Sequence, residues 1–246
     1  MSVAELSKVW GLNPNGVLHV GAHQGEEAVD YERFGWVPVI WVEAQPLLVD
    51  RLREQLDPRT HSVINATAWD QDGLKMKFNL ASNSQSSSLL ALGTHASDYP
   101  DVSYTEEFEV TTQRLDTLLA EKETPNFVNL DIQGAEGMAL KGLGAKLAAI
   151  DAIYTEVNRE EVYLGCTIVK ELDGFLRDAG FVRVATRWIL GKGWGDALYL
   201  RRTAFQPSLR QKIESLLFAI RHYQFQIVGS MKRFLWNLLR TFRNRH

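Results

Sequence analysis

Cys166 is the only cysteine in 246 residues, so no disulfide can close within the chain. No basic-apolar leader opens the sequence, and with a single thiol a reducing, cytoplasmic setting is expected. Proline is sparse at 7 residues and the 18 glycines are scattered, which excludes collagen-like and low-complexity classes. No stretch of 18 residues is apolar and free of charge, so no spanning helix is expected. Charge of one sign is also lacking overall, since 27 Lys and Arg against 30 Asp and Glu leave −3. The six histidines are dispersed and no pair of them sits at ligand spacing with an acid, so no metal centre is expected.

The composition that remains is ordinary for a globular protein, 45% hydrophobic and 23% charged. A chain of this length can bury roughly 70–75% of its unfolded surface without staples. Its charge is unevenly placed. Residues 204–246 hold Arg210, Lys212, Arg221, Lys232, Arg233, Arg240, Arg243 and Arg245 against Glu214 alone, a net +7 that leaves −10 for the rest. An acidic body with a basic tail is not the footprint of a nucleic-acid enzyme, so nucleic acid is not an expected partner.

Residues 1–203 read as one domain. Val17-Leu18-His19-Val20, Val39-Ile40-Trp41-Val42, His61 to Ala66, Phe127-Val128-Asn129-Leu130, Ile150 to Val157 and Phe181 to Ala185 are short runs rich in β-branched residues. Helical patterns separate most of them, at Glu26 to Phe34, Leu47 to Leu56, Ala135 to Leu143 and Ile168 to Ala179. Strands alternating with helices predict βαβ units and a mostly parallel, doubly wound sheet. Ala197-Leu198-Tyr199-Leu200 follows Gly193-Trp194-Gly195-Asp196, which reads as a short turn, so this last strand is expected to be antiparallel. Lys75 to Leu80 and Phe108 to Thr112 look like extra strands around a Ser/Asn-rich loop running from Ser82 to Ser88. The tail, 204–246, repeats Ile213, Leu216, Leu217, Ile220, Tyr223 and Ile227 at helical spacing. It reads as a basic amphipathic helix for a peripheral membrane surface or a homo-oligomer contact.

The chemistry gathers at strand ends. After the first strand, Gly21-Ala22-His23-Gln24-Gly25 offers a turn where bare backbone approaches a ligand and a helix N-terminus follows. Glu43 ends the second strand, where a carboxylate can accept hydrogen bonds from ribose hydroxyls. The Gly-x-Gly-x-x-Gly of a dinucleotide fold and the Gly-Lys-Ser/Thr of a phosphate loop are both missing. A ligand with ribose and no phosphate fits better, and S-adenosylmethionine is the expected cofactor. Asp131 ends the fourth strand across the switch point from Gly21, in Asn129-Leu130-Asp131-Ile132-Gln133-Gly134-Ala135-Glu136. Glu136 is equally a helix-stabilising acid.

These segments together resemble the FkbM family of S-adenosylmethionine-dependent methyltransferases. The resemblance covers about residues 15–202 and rests on the glycine turn with its strand, on Trp41-Val42-Glu43-Ala44-Gln45-Pro46, on the Asp131 segment and on Gly193-Trp194-Gly195-Asp196-Ala197. It implies a class I, Rossmann-like methyltransferase fold with a seven-stranded sheet, last strand antiparallel, and O-methylation, often of sugars in polysaccharides, glycolipids or glycosylated metabolites. It implies that Gly21, Ala22 and Gly25 line the cofactor loop, that Glu43 binds the ribose and that Asp131 sits beside the methionine end. His23 and Ala66 are placed on the same cofactor edge. Family members more often carry Asp at the position of His19, and another residue at His23.

A base must take the proton of a hydroxyl acceptor. His23, His95, Asp131 and Glu156 are candidates, and the sequence does not separate them. His95, Glu156, Asn158 and Trp194 are expected on the substrate side, and Glu160 to Gly165 with Trp188 and Trp194 is a candidate acceptor pocket. A glycan hydroxyl is the expected acceptor. A small-molecule or protein acceptor, or a catalytically inactive docking protein, are the alternatives.

Overall fold

This computed structural model of the chain describes residues 1–203; the tail expected to be helical, 204–246, lies outside the described residues. In chain order the elements are α1 (Val3–Trp10), β1 (Val17–Val20), α2 (Ala28–Phe34), β2 (Val39–Glu43), α3 (Pro46–Gln55), β3 (His61–Asn65), β4 (Thr67–Trp69) and β5 (Lys75–Ala81). They continue with α4 (His95–Asp98), β6 (Tyr104–Arg114), α5 (Leu115–Leu118), β7 (Phe127–Leu130), α6 (Glu136–Lys141), β8 (Ala152–Asn158), α7 (Val169–Asp178), β9 (Phe181–Trp188) and β10 (Trp194–Arg201).

The main sheet has seven strands in the order β3-β2-β1-β7-β8-β10-β9. All pairs from β3 to β8 are parallel, and β10 runs antiparallel to both β8 and β9. Every residue of β1, β2 and β7 is buried, because helices cover both faces and a parallel sheet of this kind needs no polar side. Period-two alternation sorts the side chains. Leu18, Val20, Val42, Val128 and Leu130 face Leu140, Leu143, Leu172 and Leu176. Val17, Val39, Trp41 and Phe127 face Leu6, Trp10, Tyr31 and Trp36 on the other side. Each such side chain removed from water contributes about 1.5–3 kcal/mol.

Three local features depart from the sequence reading. The expected third strand, His61 to Ala66, ends at Asn65; Ala66 turns the chain and β4 leaves for a second sheet of order β4-β6-β5. The expected turn at Gly193-Trp194-Gly195-Asp196 is instead the start of β10, whose Trp194 already pairs with Asn158 of β8. Among residues 82–88, Ser86, Ser87 and Ser88 are buried, with a 3-10 turn at Ser84–Ser86. Residues 82–85 are exposed, so only the C-terminal end of the segment is packed into the fold. Helix α1 precedes the first predicted strand; Ser2 and Glu5 form a reciprocal cap at its start and Gly11, at φ +66°, ends it.

Between β1 and its neighbours β2 and β7 the chain reverses its direction of travel across the sheet, which opens a crevice at the strand ends. Gly21 and Asp131 stand on either side of that opening. They touch so closely that a Cβ at Gly21 would lie 1.9 Å from the Asp131 carbonyl oxygen.

Candidate active site

A cavity of about 540 Å³ occupies this crevice. Of the residues singled out in the sequence, Gly21, Ala22, His23, Glu43, Ala66, His95, Asp131, Glu156 and Trp194 line it. Gly25 and Asn158 are not on its wall. Gly25 closes the glycine turn with its N–H on the Ala22 carbonyl (2.8 Å), at φ +74° against Leu52. Asn158 sits behind Glu156, donating from Nδ2 to its Oε1 at 3.4 Å.

The glycine turn is held to β2 by backbone bonds from Gly21 and Ala22 to the Val42 carbonyl (2.9 and 3.2 Å). His23 stands at φ +46°, an uncommon position for a residue with a Cβ. Its amide donates to Glu43 Oε2 and the Gln45 amide donates to Glu43 Oε1, both at 2.9 Å. Each oxygen keeps capacity to accept again. Burial raises the Glu43 carboxyl above its ordinary range. The His23 ring is fully engaged, with Nδ1 on Glu26 Oε1 and Nε2 on Ser84 Oγ, each at 2.7 Å. The serine-rich segment is thereby tied to the glycine turn.

Across the opening Asp131 lines the cavity, with protein around it on the other sides. That confinement pushes its carboxyl up to about 6, although the Gln133 amide donates to it. Gln133 accepts in turn from the Tyr163 hydroxyl (2.5 Å). Glu136, raised to about 7 chiefly by burial, accepts backbone N–H groups of Ile132 (3.0 Å) and Gly134 (3.1 Å). It braces the Asp131 turn rather than opening onto the cavity.

Glu156, expected at a strand end, lies inside β8, which continues through Asn158 because β10 pairs with it there; it is 6% exposed. Burial, then the charges of Glu136, Asp131 and Asp196, raise its carboxyl well above the ordinary value. Asp196 on β10 is its register partner. The Met1 nitrogen rests on the Tyr154 hydroxyl and lies 3.6 Å from Asp196. Trp194 donates from Nε1 to the Tyr99 hydroxyl at 3.3 Å. Trp188 is not part of this wall; its ring carries the Arg159 guanidinium 3.8 Å above it. Among the described residues no cluster of three His, Cys, Asp or Glu side chains is arranged to hold a metal ion.

Sequence reasoning missed Tyr154, Gln133, Ser84 and Asp196 as parts of the wall. Only the register of β10 on β8 brings Asp196 to Glu156, and nothing local signals that pairing. His19 also reaches the cavity. It stacks on Trp41 at 4.6 Å and meets the Tyr31 hydroxyl at 3.2 Å, and burial drives its imidazole down to about 3, so it is neutral.

A doubly wound sheet with an acid-lined crevice beyond its strand ends, at the switch point, is the place where α/β proteins bind nucleoside ligands. Residues 19–183 match the model of the methyltransferase FkbM domain, and the chain belongs to the FkbM methyltransferase family. No curated protein matches the chain. Among solved structures it is similar to TrmK of M. capricolum in complex with S-adenosyl-homocysteine, at 9% identity and TM-score 0.48, covering 83% of this chain and 70% of that one. It is also similar to magnesium protoporphyrin IX methyltransferase of Synechocystis PCC 6803 with bound SAM, at 11% identity and TM-score 0.46, covering 81% and 76%.

Proposed function

We propose that this methyltransferase uses S-adenosylmethionine and methylates a hydroxyl of a neutral acceptor, a sugar of a polysaccharide, glycolipid or glycosylated metabolite. Glu43 carries the reading: both its oxygens are anchored by backbone N–H groups beside the bare Gly21-Ala22 turn, which suits a ribose diol and leaves no cradle for a pyrophosphate. A cavity of about 540 Å³ is of the size ligand sites have. In this reading the Gly21, Ala22 and His23 backbone borders the cofactor and Ala66 flanks the adenine. Asp131 accepts from the methionine ammonium. Gly25 shapes the turn and Asn158 holds Glu156. When bound, the cofactor supplies an electrophilic methyl on a sulfonium. The chain's own part is to hold a hydroxyl in line with it, which is the larger share of the acceleration.

His95, Glu156 and Trp194 face the acceptor. The Glu156 carboxyl offers a hydrogen bond to a sugar hydroxyl, and the Trp194 ring offers an apolar face to a pyranose. Among the described residues no lysine or arginine side chain lines the cavity. The Met1 amine, the one terminal cation on the lining, already lies beside Asp196, and the acids Glu43, Asp131, Glu156 and Asp196 dominate the wall, which supports a neutral acceptor.

The test is calorimetric titration of the full chain with S-adenosylmethionine, S-adenosylhomocysteine and NAD. Micromolar binding of the first two is expected, weakened tenfold or more by Glu43→Ala, about 1.4 kcal/mol. Binding of NAD in their place overturns the reading. Methyl transfer is then expected to neutral methyl glycosides and not to the matching uronates.

A further inference from the structure

We infer that His95, oriented by Asp98, is the general base that takes the proton from the acceptor hydroxyl. The inference rests on the donor and acceptor reading above. Four side chains could play this part, and geometry separates them. Both ring nitrogens of His23 are already bonded, to Glu26 and Ser84. Asp131 is tied to Gln133 at the cofactor end, and Glu156 Oε1 already accepts from the Asn158 amide.

His95 differs from all three. It lines the cavity and is 5% exposed, yet its Nδ1 is buried with no hydrogen-bond partner, and no hydrogen bond engages Nε2. Three residues on, Asp98 Oδ2 is also buried with no partner. Two orphaned polar atoms on one turn of α4, one a potential donor and the other a fixed acceptor, are costly unless they serve a ligand-bound state. Hydrogen bonds of this kind often close only when substrate arrives. With Nδ1–H turned to Asp98, the Nε2 lone pair faces the acceptor.

The surroundings hold this ring in place. Gly93 and Thr94 donate to the carbonyls of Val162 and Glu161, both at 2.9 Å, and His95 itself donates to Val162 at 3.2 Å. The approach is so close that a Cβ at Gly93 would lie 2.0 Å from the Glu161 carbonyl oxygen. Tyr163 and Tyr99 flank the ring, with centroids at 5.3 and 4.9 Å. The charged groups facing it are Asp98, which raises its pKa, and Lys192, which lowers it; burial outweighs both and leaves the imidazole neutral and able to accept. Lys192 bonds the Asp98 carbonyl (2.6 Å) and approaches Oδ1 (3.3 Å), which leaves Oδ2 for the histidine.

In the step, an acceptor oxygen lone pair forms the O–C bond and the S–C pair returns to sulfur. The hydroxyl proton moves to His95 Nε2, and the imidazolium, balanced by Asp98, later passes it to water. His95 is the catalytic residue and Asp98 its positioning residue.

The test begins with ring nitrogen NMR on the ¹⁵N-labelled full chain, free and with S-adenosylhomocysteine, with His95→Gln to assign the signals. The Nδ1–H tautomer is expected, with a titration midpoint that Asp98→Asn moves to lower pH and Lys192→Met to higher pH. An Nε2–H tautomer, or a midpoint that ignores Asp98→Asn, overturns the proposal. With neutral methyl glycosides, His95→Gln should lower kcat about 100-fold or more, with cofactor affinity unchanged. Asp98→Asn should lower it about tenfold and move the acid limb of the pH profile down. Equal rates in His95→Gln and the wild type overturn it. Loss of cofactor binding by the wild type would strike the donor reading alone, and the tautomer in the free chain still decides the base.

Discussion

Gly21 shows how one residue type can be dictated by a contact far away in sequence. Its φ of +88° already favours glycine, and the Asp131 carbonyl fills the space a Cβ would need. Gly35 has a similar φ of +71° with nothing within 4 Å of a Cβ. Gly35→Ala should therefore cost only the left-handed penalty, about 1–2 kcal/mol. Gly21→Ala should cost clearly more and also weaken cofactor binding, because β1 and β7 must part to admit the methyl. Urea denaturation of both variants, with calorimetry on any that fold, checks this. Equal losses would mean the contact with Asp131 is soft. The glycine itself was legible in the sequence. The reason it must be glycine rather than another turn residue was not, since the clashing carbonyl comes from 110 positions downstream.

At the scale of elements, local patterning located most strands and helices because period-two and period-3.6 burial are both written in nearby residues. It failed where pairing decides. Ala66 looks like a strand residue, yet β3 ends before it because β4 pairs with β6 in another sheet. Trp194 to Asp196 look like a turn and become strand through the β8 ladder. One element-level tie is open to measurement. Asp173 of α7 accepts a two-point contact from Arg183 of β9 (both 2.9 Å) and the Tyr199 hydroxyl of β10 (2.8 Å). The pair is about a third exposed, so Asp173→Ala should cost only about 1–2 kcal/mol. Thermal unfolding should shift down by a few degrees, with cofactor affinity unchanged because the tie lies at the far edge of the sheet.

For the whole molecule, the acids at the crevice set a pH dependence of unusual sign. Burial raises the carboxyls of Glu136 to about 7 and Asp131 to about 6 in the folded chain against ordinary values of 4.5 and 3.8, and Glu156 is raised well above its ordinary value. These acids thus bind more protons in the folded chain than in the unfolded chain between about pH 4 and 7, while His19, held neutral, opposes them below its ordinary 6.5. The stability the acids contribute is fully present below the ordinary carboxylate range and is lost as pH rises through 6 to 7. Chemical denaturation should show the free protein more stable near pH 5 than near pH 8, and Glu136→Gln should flatten that difference. A cofactor ammonium at Asp131 reverses the local preference by favouring the carboxylate. Binding near pH 6 should therefore release protons, which calorimetry in buffers of different ionisation heat would detect; no release would separate Asp131 from the methionine end.

By itself the sequence determined the class of fold, most strands and helices of the main sheet, the antiparallel last strand and the glycine turn with Glu43 and Asp131 at strand ends. All of these follow from residues within a few positions of each other. Only the tertiary structure decided which acids share one cavity, that Asp196 joins Glu156, that His23 is consumed by Glu26 and Ser84, and that His95 and Asp98 each bury an unpaired atom. Those outcomes depend on strand register and loop packing across tens of residues, and on burial, which shifts a carboxyl or an imidazole only once the surrounding chain has closed around it.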